Sequence, residues 1–129
     1  MTRYRLSAYN PKRKRPERDA LALEPGDLEV VVACARELGR GVLLDLEPER
    51  LASARSAGWT SIMFEVEPAR DIGRMVHSTP ATVERYLAAL RAMADRVPEA
   101  SRAAWQRLER ALTDVQRKRH GLYFYEPPR

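Results

Sequence analysis

Four carboxylates, Asp45, Glu47, Glu65 and Glu67, stand in two pairs within the apolar runs VLLDLE and SIMFEVE. Each pair is spaced i, i+2, so in an extended chain both members fall on one sheet face, opposite the apolar residues. Oxygen ligands gathered in this way suit a divalent cation. The same pattern serves a solvated strand face or an acidic rim that docks a partner. A nuclease-type metal core would also want a lysine two residues past an acid, and neither run supplies one.

The remaining reactive side chains are few. His77 and His120 are the two imidazoles, and Cys34 is the one thiol. His120 precedes Gly121 near a helix end, an ordinary place for a histidine. Cys34 falls near the apolar side of a helical stretch, where a free cysteine packs as a small hydrophobe. The chain lacks a Ser/His/Asp arrangement, a glycine-rich phosphate loop and a metal-spaced Cys/His cluster. The expectation is a protein that is not an enzyme, with no catalytic residue, no cofactor and no metal.

A second constellation is basic. Lys12, Arg13, Lys14 and Arg15 form a run flanked by Pro11 and Pro16. Such a run binds phosphates or an acidic protein surface, or simply stays solvated. Charge is polarised along the chain. Residues 1–18 carry seven basic residues against Glu17, residues 19–70 five against ten acidic, and residues 71–129 eleven against seven. The net charge of +5 therefore hides an acidic middle between two basic ends.

The elements that must position these groups follow from periodicity. RYRLSAY, residues 3–9, alternates as a strand with Tyr4, Leu6 and Ala8 inward. Residues 10–20 read as a basic, proline-containing loop or arm. Asp27 caps a helix over 28–38. Residues 42–47 form a strand, 49–57 a short helix, and 61–67 the clearest strand, stopped by Pro68. A helix runs from Pro80 to about Arg96, with Thr79 as its cap and proline at its first position. A second helix spans Glu99 to about Arg119, with Trp105, Leu108, Leu112 and Val115 as its packing seam and Arg107, Arg110, Arg117 and Lys118 opposite. Gly121 stops it, and residues 122–125 offer a last strand. The predicted fold is α/β (α+β): a small mixed or antiparallel sheet of about four strands covered on one face by helices, with a C-terminal αα-hairpin over 80–120. At 129 residues the chain reads as a single domain.

Residues 71–87, DIGRMVHSTPATVERYL, resemble the two-helix core of bacterial helix-turn-helix transcription factors. Asp71-Ile72-Gly73 looks like the start of the first helix, and Thr79-Pro80-Ala81-Thr82-Val83 like the opening of the recognition helix. The resemblance implies that Thr79, Ala81, Thr82 and Arg85 approach phosphates and base edges in a major groove. It covers 17 of 129 residues. A second account stays open beside it: Ala69 to Val76 as a short helix or irregular turn, followed by ordinary Thr-Pro capping of a long helix.

The single cysteine and the lack of a signal-like apolar segment suggest the cytoplasm. Elimination and charge together point to a non-enzymatic protein-binding module. The expectation is an immunity or antitoxin-type inhibitor that docks on a bacterial toxin encoded nearby. Its acidic rim would be Asp45, Glu47, Glu65 and Glu67, standing in for phosphates in a basic cleft. Its anchors would be Tyr9, Tyr123 and Tyr125, with Trp59 in addition, beside the cations Lys12, Arg13, Lys14 and Arg15. DNA-binding regulation through 71–87 is the alternative. Nucleic acid stays open as a partner, and no membrane is expected.

Overall fold

Strand β1 (Arg5–Asn10) places Leu6 in the core and Ala8 against it, as its alternation predicts. The chain then reverses at once. The Asn10 side-chain oxygen accepts hydrogen bonds from the backbone of Lys12 (3.0 Å) and Arg13 (3.2 Å), a local turn that asparagine favours. It leads into β2 (Arg15–Ala20), antiparallel to β1 with a register irregularity between Ser7 and Tyr9. The loop or arm expected over 10–20 is thus largely a strand. RPERDA shows no apolar alternation; among the described residues β2 is the outermost strand of the sheet, where charge and a proline are tolerated and discourage further pairing.

The structure, a computed structural model, describes residues 5–13, 15–39, 43, 46, 65–69, 73–77 and 79–125. These form a five-stranded antiparallel sheet of order β2-β1-β5-β4-β3, packed with three helices, an α+β fold. About four strands were expected. Three of them recur, as β1, β3 and β5; β2 and β4 are additional and come from segments whose side-chain pattern does not announce a strand, and the fourth expected strand, over 42–47, falls largely outside the described residues.

Helix α1 (Asp27–Glu37) follows Gly26, whose φ of 87° is a left-handed conformation that glycine adopts freely. Gly26, not Asp27, occupies the cap position, and no side chain caps this end. Asp27 is the first helical residue and has other work, described below. Leu28, Val31, Val32 and Ala35 face the core. Leu43 and Leu46, from the stretch expected as a strand, are both fully buried and have 3-10 geometry.

Strands β3 (Glu65–Ala69) and β4 (Gly73–His77) form an antiparallel hairpin in the register Glu65↔His77, Glu67↔Met75, Ala69↔Gly73. Pro68 does not stop β3. It lies within it, and β3 is the outermost strand among the described residues, a position that tolerates proline. Helix α2 (Pro80–Met93) begins as predicted, with proline at the first position and the Thr79 hydroxyl accepting from Thr82 N at 3.4 Å. A 3-10 turn (Ala94–Arg96) and Pro98 lead to α3 (Glu99–Arg117). The two helices pack together, and the buried Trp105 indole donates to Leu90 O at 3.0 Å, satisfying a donor that burial would otherwise strand.

Helix α3 does not stop at Gly121. Arg119 takes the left-handed conformation (φ 57°), with Arg119 N bonded to Gln116 O (2.9 Å) and His120 N to Val115 O (3.1 Å). That is the paired closure of a Schellman end with arginine where glycine is usual. Gly121 instead opens β5 (Gly121–Tyr125), which lies at the centre of the sheet between β1 and β4. Leu6 and Leu122 join Val83, Leu87, Leu90, Leu108 and Leu112 in one core.

Candidate functional site

Glu65 and Glu67 share one register face of β3, together with His77 and Met75 of β4. Val66, Val76, Phe124 and Leu6 are paired in sequence across the strands on the other face. Leu6 belongs to the helix-packed core, so alternation puts the two glutamates on the face opposite the helices. Strand β3 is the last strand of the sheet among the described residues. Asp45 and Glu47, the other half of the expected acidic rim, lie outside the described residues.

The register assembles a row that the sequence alone does not reveal. Glu65 pairs with His77, His77 with Tyr123, and Tyr123 with Ser7. Carboxylate, imidazole, phenol and hydroxyl residues therefore run across four adjacent strands on the face opposite the helices. Ser7 is buried, and its hydroxyl has no hydrogen-bond partner among the described residues. The spacing limits the chemistry. Ser7 and His77 are separated by a whole strand, about 10 Å at the usual inter-strand distance, too far for direct proton transfer between them. These four residues come from four separate segments, so only the strand pairing could have identified the row.

The expected aromatic anchors are corrected. Tyr9 and Tyr123 are only 4% and 3% exposed. Both lie on the face away from Leu6 and Leu122, yet that face too is shielded at these positions. An interface anchor must be open to its partner, and neither ring is. Tyr125 is placed by its backbone opposite Arg5 at the end of β5, and Trp59 lies outside the described residues. Of the basic run, Lys12 and Arg13 are exposed on the β1–β2 turn, Arg15 pairs with Asn10 in register, and Lys14 lies outside the described residues.

The helix-turn-helix is corrected as well. Residues 73–77, which would form most of its first helix, are strand β4. The short helix or irregular turn offered as the second account of this stretch is replaced by the same strand. Thr79 and Thr82 cap α2, their hydroxyl oxygens 3.2 Å apart, and Thr82 is buried. Ala81 and Arg85 are exposed on the first turns of α2, but among the described residues strand β4, not a helix, comes just before them. The phrase STPATV records helix capping.

One electrostatic joint was missed in the sequence. Arg107 grips Asp27 through both carboxylate oxygens, Nε to Oδ2 and Nη2 to Oδ1, each at 2.8 Å. Glu24 N donates to Oδ2 at 2.8 Å, and the Glu24 carboxylate lies 3.6 Å from the guanidinium. The arginine's hydrogen bonds hold the Asp27 carboxyl below its ordinary range despite the opposing effect of burial. Arg107 is thus not part of a free basic face. It fastens the start of α1 to the middle of α3. Burial, helped by the nearby Glu37 charge, pushes the Cys34 thiol up, away from nucleophilic use.

Among the described residues no helix is long and apolar enough to cross a membrane. Nor do three or more His, Cys, Asp or Glu side chains gather there as a metal site. No family model, no curated protein and no solved structure matches the chain.

Proposed function

We propose that the chain is a non-enzymatic protein-binding module, an immunity or antitoxin-type inhibitor that neutralises a toxin encoded nearby by docking on it. The carrying observation is the position of Glu65 and Glu67, two residues apart on β3, the last strand of the sheet among the described residues. An acidic edge presents fixed negative charge to a basic cleft, as phosphates would, and steers the encounter. In this reading α2 and α3 act as a C-terminal αα-hairpin that braces the sheet from its other face. The buried Tyr9 and Tyr123 hold the sheet and are not contacts.

Co-expression with the product of the adjacent gene tests the proposal. The two chains should co-purify at fixed stoichiometry, and Glu65→Lys with Glu67→Lys should weaken the complex by roughly tenfold or more, about 1.4 kcal/mol. An affinity unchanged by the double reversal would mean that the acidic edge is not the docking surface.

A further inference from the structure

Two basic stretches a hundred residues apart in the chain meet at one end of the sheet. Tyr9, near the end of β1, pairs with Gly121, the first residue of β5. The turn after β1 and the turn before β5 therefore leave the sheet at the same end, on strands about 4.8 Å apart. His120, just before β5, and Glu17 on β2 are also close, with Nδ1 3.7 Å from Oε1. Lys12 and Arg13 on the first turn, and Arg117, Lys118 and Arg119 at the second, are all exposed. Among the described side chains the carboxylates there are Glu17 and Asp114, the latter 3.7 Å from Arg117.

Arg119 adds an independent observation. Its backbone is left-handed at φ 57°, a conformation that penalises any residue with a Cβ and that glycine adopts freely. The Schellman closure would be easier with glycine, yet the position carries a cation whose side chain points to no carboxylate among the described residues. A charge held at a backbone penalty in the middle of a basic surface suggests use.

We infer that this end of the sheet binds the phosphate backbone of duplex DNA, without reading sequence. Lys12 and Arg13 on one turn and Arg117, Lys118 and Arg119 at the other put five exposed cations at one end of the sheet, which suits the phosphates of a duplex, twice as dense along the axis as those of a single strand. A single strand would need exposed aromatic platforms, and Tyr9 and Tyr123, the described aromatics nearest this end, are buried. The surface is separate from β3 and does not depend on the inhibitor reading.

The test uses the full chain with a random-sequence duplex DNA of about 20 base pairs. Binding should be measurable at 50 mM salt and fall by roughly 100- to 1,000-fold at 200 mM, as expected for about five neutralised phosphates. Arg119→Gly should weaken binding roughly fivefold and lower the salt slope by about one, with a melting temperature no lower than that of the parent. Lys12→Glu with Arg13→Glu should abolish it. The inference is overturned if duplex DNA fails to bind at low salt, or if Arg119→Gly leaves affinity and slope unchanged. Equal or tighter binding to single-stranded DNA, duplex RNA or anionic phosphatidylserine vesicles overturns it too.

Discussion

Arg107 and Arg119 belong to the same helix and its exit turn, yet their surroundings are opposite. Arg107 is half-buried, bidentate to Asp27, and spends its charge inside the molecule. Arg119 is exposed and sits in a backbone conformation that suits another residue. One arginine is explained by the fold it fastens. The other is not, and the same holds for its neighbours Lys118, Lys12 and Arg13. The comparison separates charge that maintains structure from charge left over for a partner.

The largest effect should come from breaking the first of these. Arg107→Ala leaves a buried carboxylate with one backbone donor, and the expected loss is about 3 kcal/mol, measured by denaturant titration. Replacing both partners, Asp27→Leu with Arg107→Met, should recover part of that loss, because no charge is then stranded. A double substitution as damaging as the sum of the singles would show that the pair is not coupled. The same joint predicts acid sensitivity. The folded-state pKa of Asp27 is depressed, so its contribution is complete above the ordinary value of 3.8 and is lost as pH falls through the lower folded value. In Asp27→Asn the stability-against-pH curve should be flatter in that acid range.

What the sequence made legible follows from where side-chain pattern decides structure. Helices α2 and α3 stand near their predicted places because Val83, Leu87 and Leu90, and then Trp105, Leu108, Leu112 and Val115, must all reach one core. Strands β2 and β4 were misread because RPERDA and GRMVH carry no such alternation. Their strand state comes from backbone pairing with β1, β3 and β5, which a local window does not contain. The candidate sites divide in the same way. Glu65 and Glu67 were legible as one face because the period of two is local. The burial of Tyr9 and Tyr123 and the Asp27–Arg107 joint depend on long-range packing, the last across eighty positions. Nothing in the neighbourhood of Arg107 distinguishes it from Arg110.

A third helix end calibrates the comparison. The start of α2 has the residue that capping rules call for, with the Thr79 oxygen 3.4 Å from Thr82 N. At that distance the bond is weak, and Thr79→Ala should cost about 1 kcal/mol or less. Thermal unfolding resolves such a change. A loss of several kcal/mol would mean that Thr79 holds more than the first turn of α2.

The smallest expected change bears most directly on Arg119. Two substitutions remove its charge but differ in what they do to the backbone. Arg119→Gly relieves the left-handed conformation and should stabilise the fold by up to about 1 kcal/mol. Arg119→Ala keeps a Cβ in that conformation and should gain little. If stability rises for glycine alone, the penalty lies in the backbone, and the native arginine is held against it. If alanine stabilises as much as glycine, the gain comes from relief of repulsion with Lys118 and Arg117 instead. The strained turn would then give no reason to look for a partner there, and the contrast with Arg107 would reduce to one of exposure.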